Sequence, residues 1–244
     1  MAARAREIAV LVLDPQQRLV KPPERDGPEG DLPQRVVDRL ERDVLLAEHV
    51  AHVHPVLVTM GLLTFSINVT LDGCVDHREG IADDETHAFF TRLMDESGAM
   101  LWGRVTYEMM ESYWPAVARG DAEAPPAMRE WATKLEVKPK YVVSSTRTDF
   151  PWTNSHHIAD DLRSAVQKLK DATPHGVLLG SGRLATELDR LDMIDEYKLL
   201  VHPRIAAHGP TLYQSGLPST RRLELVAAKP LHNGAVAMHY RRER

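Results

Sequence analysis

The chain has 244 residues, 43% of them apolar and 27% charged, with a formal net charge of −5. This is the balance of a globular protein. It argues against a broad nucleic-acid surface, and no run reaches the ~20 apolar residues that span a bilayer. The single cysteine, Cys74, excludes an intrachain disulfide and makes a cytoplasmic setting the expectation.

Arg4 and Arg6 precede an apolar run over residues 8–13 that breaks at Asp14–Pro15. It reads as a strand rather than a signal peptide. Residues 21–33 are crowded with Pro, Gly and charge, as in a loop or linker, and Val36, Val37, Leu40, Val44 and Leu45 then recur at helical spacing. A second start-like segment opens at Met60. Leu63, Phe65, Ile67, Val69 and Leu71 alternate with Thr64, Ser66, Asn68 and Thr70, which predicts a strand. The main domain is therefore expected over residues 60–244. Residues 1–59 would be an accessory arm, an oligomerisation element or an upstream extension of the reading frame.

Leu71–Asp72–Gly73 reads as a turn, and Asp84 or Thr86 can open a helix carrying Phe89, Phe90, Leu93 and Met94. Residues 99–102 predict a buried strand ending at Gly103–Arg104, and residues 106–113 a helix that stops near Trp114–Pro115. A polar loop over 118–126, a short helix over 128–135 and a strand over 140–144 follow. Leu162, Val166 and Leu169 then mark one face of a helix over 160–170. Strands are predicted at 177–179 and 197–201, with a helix near 184–191 between them. Asn233–Gly234, set between apolar segments at 223–226 and 235–240, predicts a hairpin. Alternating strands and helices that end in a hairpin predict a mixed sheet covered by helices.

The junction Leu178–Leu179–Gly180–Ser181–Gly182–Arg183 is the most informative stretch. A strand that breaks at spaced glycines before a helix leaves backbone N–H groups free to hold a phosphate. Glycines also end strands for structural reasons alone. The sequence lacks the GxGxxG fingerprint and the GxxxxGK[ST] loop.

The succession of elements over about residues 60–242 resembles the dihydrofolate-reductase-like family, and within it the C-terminal reductase domain of the bifunctional riboflavin-biosynthesis deaminase–reductase. The residues that carry the resemblance begin with Thr70–Leu71–Asp72–Gly73, then Leu101–Trp102–Gly103–Arg104–Val105–Thr106–Tyr107–Glu108 and Lys140–Tyr141–Val142–Val143–Ser144–Ser145–Thr146. They continue through Gly180–Ser181–Gly182, Met193–Ile194–Asp195–Glu196–Tyr197, Pro203 and Gly209–Pro210–Thr211–Leu212–Tyr213. The resemblance implies an α/β fold: a mixed, mostly parallel sheet flanked by helices, with a C-terminal antiparallel hairpin. It also implies hydride transfer from NADPH to a pterin-like or aminopyrimidine-like heterocycle, and a homodimer built on the late strands.

Carried onto this chain, Gly103, Arg104 and Thr106 would meet the cofactor, with Arg104 on the 2′-phosphate. Ser144, Ser145, Thr146 and Arg147 would hold the adenosine side, and Gly180, Ser181, Gly182 and Arg183 the pyrophosphate. Asp72 can bind a ring amino group or relay a proton, or else cap its own turn. Asp195 and Glu196 are expected to shape a strand entry. One departure stands out. The riboflavin-pathway reductases place a glutamate immediately before the paired glycines, where this chain has Gly180. The dihydrofolate reductases place an acid on the helix after the first strand. Asp83, Asp84 and Glu85 lie nearby without a matching motif. The substrate is therefore left open between an unassigned heterocycle and the riboflavin-pathway 5-amino-6-(5-phosphoribosylamino)uracil. A dinucleotide-binding protein without turnover is the alternative of a different class, and a purely structural homodimer a third.

His49, His52 and His54, and the pair His156–His157, lack the layout of a metal site, and no metal is expected. There is no G-x-S-x-G elbow, and Cys74 has no evident base. Trp102 and Trp114 flank the Arg104 helix. Packing against the sheet is expected of them, with a ring pocket as the alternative.

Overall fold

The computed structural model describes residues 61–244. The strand at 8–13, the helix near 36–45, the histidines at 49, 52 and 54 and the role of residues 1–59 lie outside them. Eight strands form one sheet: β1 (Leu63–Thr70), β2 (Ala99–Gly103), β3 (Lys140–Val143), β4 (Ser155–Ile158), β5 (Val177–Leu179), β6 (Glu196–His202), β7 (Leu223–Pro230) and β8 (Val236–Arg242). Six helices connect them: α1 (Asp84–Glu96), α2 (Arg104–Glu111), α3 (Trp114–Arg119), α4 (Pro126–Val137), α5 (Leu162–Ala172) and α6 (Gly182–Arg190). The strand order is β4-β3-β2-β5-β1-β6-β8-β7. The first six of these run parallel, and β8 and β7 close the sheet antiparallel. This is the α/β architecture that the sequence led us to expect.

Period-two alternation sorts the sheet residues between two cores. Leu63 and Phe65 share one face with Leu101, Leu179 and Tyr197, and α5 and α6 cover it with Val166, Leu169, Ala185 and Leu188. Met100, Trp102, Val142 and Leu178 point to the other face, under Leu93 and Met94 of α1, Tyr107 of α2, and Trp131 and Leu135 of α4. Full burial of each large side chain contributes about 1.5–3 kcal/mol, so these two layers hold the sheet flat against its helices. Leu71 drops out of the alternation at 66% exposure, because β1 ends at Thr70 and the chain turns.

Three features go beyond the sequence reading. Pro115 does not merely end a helix: it sits in the first turn of α3, where its missing N–H costs nothing. Strand β4 has no counterpart in the sequence reading, since Ser155–His156–His157–Ile158 shows no apolar alternation and forms the sheet's edge beside β3. Lys140, expected only as a strand residue, is fully buried. Its ammonium closes the C-terminus of α4 by donating to the carbonyls of Leu135 (2.9 Å), Glu136 (3.1 Å) and Lys138 (2.9 Å). Burial pushes its pKa down to about 8.

Candidate functional site

Parallel strands β2, β5 and β1 are neighbours, and each ends at the same edge of the sheet. In α/β sheets of this kind that carboxyl edge is where ligands bind. Two strand-to-helix turns meet there. In the β5–α6 turn the Gly180 N–H donates to the Leu101 carbonyl at 3.2 Å, which keeps the turn against β2. Ser181 precedes α6 but does not cap it. Its hydroxyl instead crosses to the β2–α2 turn, accepting from the Gly103 N–H at 3.0 Å and donating to Thr106 Oγ1 at 2.7 Å. The expected cofactor residues Gly103, Thr106, Gly180, Ser181 and Gly182 are thus brought together. Neither α2 nor α6 has a side-chain cap, so two positive helix ends lie side by side. A Cβ at Gly103 would make ordinary van der Waals contact with Leu184 and Ser181 at 3.9 Å.

The cations gather on one flank. Arg104 forms a forked pair with Glu108 one turn along α2, at 2.9 and 3.1 Å. Arg147, which follows β3, pairs with Glu111 at 2.8 and 3.0 Å and lies over the rings of Tyr107 and Phe150. It also lies 3.7 Å from Glu108, so one carboxylate touches both arginines. The buried Ser144 hydroxyl holds this segment by accepting from the Thr146 and Arg147 N–H groups at 3.2 and 2.8 Å. Ser145, Thr146 and Arg183 are exposed.

Two loops are fastened to each other beside the turns. The β1–α1 loop joins the β6–β7 loop through the Cys74–Thr211 bridge, Val75 N–H to the Pro210 carbonyl (2.8 Å) and Leu212 N–H to the Gly73 carbonyl (3.0 Å). Asp72 completes the clasp. It accepts from the Ala206 and Ala207 N–H groups at 3.1 and 2.7 Å, and from the Thr70 hydroxyl. These bonds, that from Thr70 foremost, hold its pKa down to about 2. Val75 and Leu212 approach within 3.6 and 3.8 Å of the place a Gly182 Cβ would take, so the clasp borders the β5–α6 turn.

A family model, the RibD C-terminal domain, matches residues 62–237. The chain belongs to the RibD C-terminal domain family. The uncharacterised protein YyaP of Bacillus subtilis (strain 168) is 25% identical over 182 residues, covering 73% of this chain and 93% of YyaP. Among solved structures, a candidate riboflavin biosynthesis protein from Shewanella sp. PV-4 reaches a TM-score of 0.59 at 20% identity, covering 75% of this chain and 99% of its own. A dihydrofolate reductase from Enterococcus faecalis complexed with NADP(H) reaches 0.50 at 14% identity, covering 76% and 98%. At these identities the structures establish a shared fold.

This RibD C-terminal domain also contains polar groups that sequence reasoning missed. His202 ends β6 with 1% exposure. Its Nδ1 accepts from the Ile81 N–H at 3.3 Å, which leaves Nε2 to donate to Asn68 Oδ1 at 2.8 Å. Burial lowers its pKa, consistent with a neutral ring. Asp189 on α6 is 1% exposed and accepts from the hydroxyls of Tyr197 (2.9 Å) and Tyr213 (2.7 Å), with Arg242 at 3.3 Å. Burial, together with the Asp189 carboxylate, pushes both phenols far above their ordinary range. An acidic residue two short of a predicted helix end gives no hint of such partners.

The two acids expected to shape a strand entry do so. Asp195 accepts from the Leu63 N–H at 2.8 Å and from the Lys170 ammonium at 2.6 Å, while Glu196 faces His239 at 3.2 Å. Both lie at the opposite edge of the sheet from the glycine turns. His156 contacts Asn154 at 3.1 Å and His157 the Ser144 carbonyl at 2.9 Å, so each ring has a local partner. No helix among the described residues is long and apolar enough to cross a membrane.

Proposed function

We propose that this RibD C-terminal domain is an NADPH-dependent reductase that transfers a hydride to a planar nitrogen heterocycle, pterin-like or aminopyrimidine-like. The observation that carries the reading is the Ser181 hydroxyl, which ties the β2–α2 and β5–α6 turns into one unit and leaves both helix ends uncapped toward the same edge. That arrangement fits a dinucleotide pyrophosphate. The NADP(H) carried by the structurally similar Enterococcus faecalis enzyme agrees with it.

In this reading NADPH, when bound, supplies the hydride. Gly180, Ser181, Gly182 and Arg183 receive its pyrophosphate, with Gly103 and Thr106 alongside. Arg104 and Arg147 receive the 2′-phosphate, and a dianion there takes over donors that Glu108 and Glu111 now occupy. Ser144, Ser145 and Thr146 border the adenosine. Asp72 is ionised at neutral pH and occupied by two backbone N–H groups, so its role is to hold the loop clasp. The proton that completes the reduction comes from water. β7 is the outermost strand among the described residues, with Leu225 and Val226 54% and 41% exposed, which supports the expected homodimer. Sedimentation at micromolar concentration would separate one copy from two.

A second reading, dinucleotide binding without turnover, draws support from the same commitment of Asp72 and from the missing carboxylate at Gly180. Titration of the full chain with NADPH and NADH, repeated on Arg104→Ala, tests both. Saturable binding that prefers NADPH and loses the preference in R104A is expected. Failure to bind either nucleotide would overturn the reductase reading, and binding without oxidation by any pterin, pyrimidine or flavin would favour the second.

A further inference from the structure

The two arginines on the flank of the carboxyl edge are not equally available. Arg147 is committed on every side. Its Nε donates to the Asp149 carbonyl at 2.7 Å, its terminal nitrogens hold Glu111, and its Cζ lies 5.3 and 5.2 Å from the Tyr107 and Phe150 ring centroids. Arg104 spends one terminal nitrogen on Glu108, and its other guanidinium nitrogens have no partner among the described residues. Its side chain is 41% exposed against 25% for Arg147, so a ligand reaches it from solvent.

Glu108 stands between the two. Its carboxylate takes Arg104 Nη1 on both oxygens, at 2.9 and 3.1 Å, and lies 3.7 Å from Arg147 Nη1 with 37% of its own side chain exposed. With Glu111 on Arg147, two carboxylates oppose two guanidinium groups, and the four charges sum to zero. A patch of that composition does not treat anions as two free arginines would. A phosphate dianion arriving at Arg104 meets the Glu108 charge within one helical turn and is repelled by it. A ribose hydroxyl meets an acceptor instead, and a carboxylate is the usual partner of the 2′-hydroxyl when a dinucleotide carries no 2′-phosphate.

We propose that Glu108 sets the coenzyme selectivity: its carboxylate restrains the preference for NADPH that Arg104 creates, and keeps NADH a ligand of the same site. This rests on the reductase reading, which puts the 2′-phosphate at Arg104, and adds a residue that works against that contact. The test is isothermal titration calorimetry on the full chain and on Glu108→Gln, with NADPH and NADH. Adenosine 2′,5′-bisphosphate and 5′-AMP, which differ only in the 2′-phosphate, are titrated in parallel.

E108Q should bind NADPH about tenfold more tightly and NADH no more tightly, so that the ratio of the two affinities rises about tenfold. The two adenosine phosphates should separate in the same direction. Glutamine fills the same volume, and an exposed ion pair adds little stability, so the variant folds. If Glu108 serves only to aim Arg104, its loss weakens NADPH instead. A ratio that stays the same or falls in E108Q therefore overturns the proposal. Where the unmodified protein still binds both dinucleotides, that result leaves the reductase reading standing. If neither protein binds either dinucleotide, the reductase reading falls and the proposal with it.

Discussion

The two edges of the parallel sheet treat their polar groups in opposite ways. At the amino edge the three buried acids face groups of the protein itself: Asp195 meets Lys170 and Arg244, Asp189 two tyrosines and Arg242, and Glu196 His239 and Arg241. At the carboxyl edge the helix ends of α2 and α6 have no side-chain cap. Unmatched donors lower stability, so a fold keeps them only where something else supplies the acceptor. One edge stabilises the domain, and the other is left incomplete in the way a binding site must be.

The sharpest way to break this contrast is Asp189→Ala. It leaves Arg242 and two buried hydroxyls without their acceptor, and should lower unfolding free energy by about 3 kcal/mol in a denaturant titration. If the amino edge is purely structural, nucleotide affinity measured well below the melting point should change little. Arg104→Ala should do the reverse. We expect roughly tenfold weaker NADPH binding, equal to about 1.4 kcal/mol, with NADH and stability almost untouched, because Arg104 is an exposed partner of Glu108. An equal loss for both nucleotides would remove the 2′-phosphate assignment.

Ser181→Ala lies between these cases, since Ser181 serves both packing and site. Leaving the Gly103 N–H without its acceptor should cost about 1–2 kcal/mol and weaken both nucleotides together. Preserved nucleotide affinity would show that the two turns need no coupling.

The smallest effect concerns the loop clasp. Asp72 has its pKa lowered from 3.8 to about 2, so its contribution is present above 3.8 and is lost as pH falls through about 2. Hydrogen exchange at Ala206 and Ala207 should therefore show reduced protection at the acid end of that window, compared with pH 5. In Asp72→Asn the pH dependence should vanish. Unchanged protection across the window would mean that the backbone bonds at Val75 and Leu212 hold the loops alone.

Much of the carboxyl edge was legible because its residues are neighbours in sequence. Gly180–Ser181–Gly182 follows an apolar triplet, and Gly103–Arg104 another, so strand, break and helix could be placed from local pattern. The link between them was not legible. Local pattern gives Ser181 only a place in the glycine turn, yet its hydroxyl serves a turn 78 positions away. Trp102 was taken for packing, and it does pack. Its nearness to Gly180 appears only because β5 lies beside β2. The strand β4 escaped for a different reason: a four-residue edge strand needs only one neighbour and has no buried alternation to display.

The sequence alone determined the order of elements, the hairpin at Asn233–Gly234 and the two glycine turns, because each depends on contacts within a few residues. Tertiary structure decided which acids are sealed in and how the two glycine turns are joined. Those properties arise from groups 25 to 78 residues apart in the chain meeting in the fold. There, burial makes every unmatched hydrogen bond count.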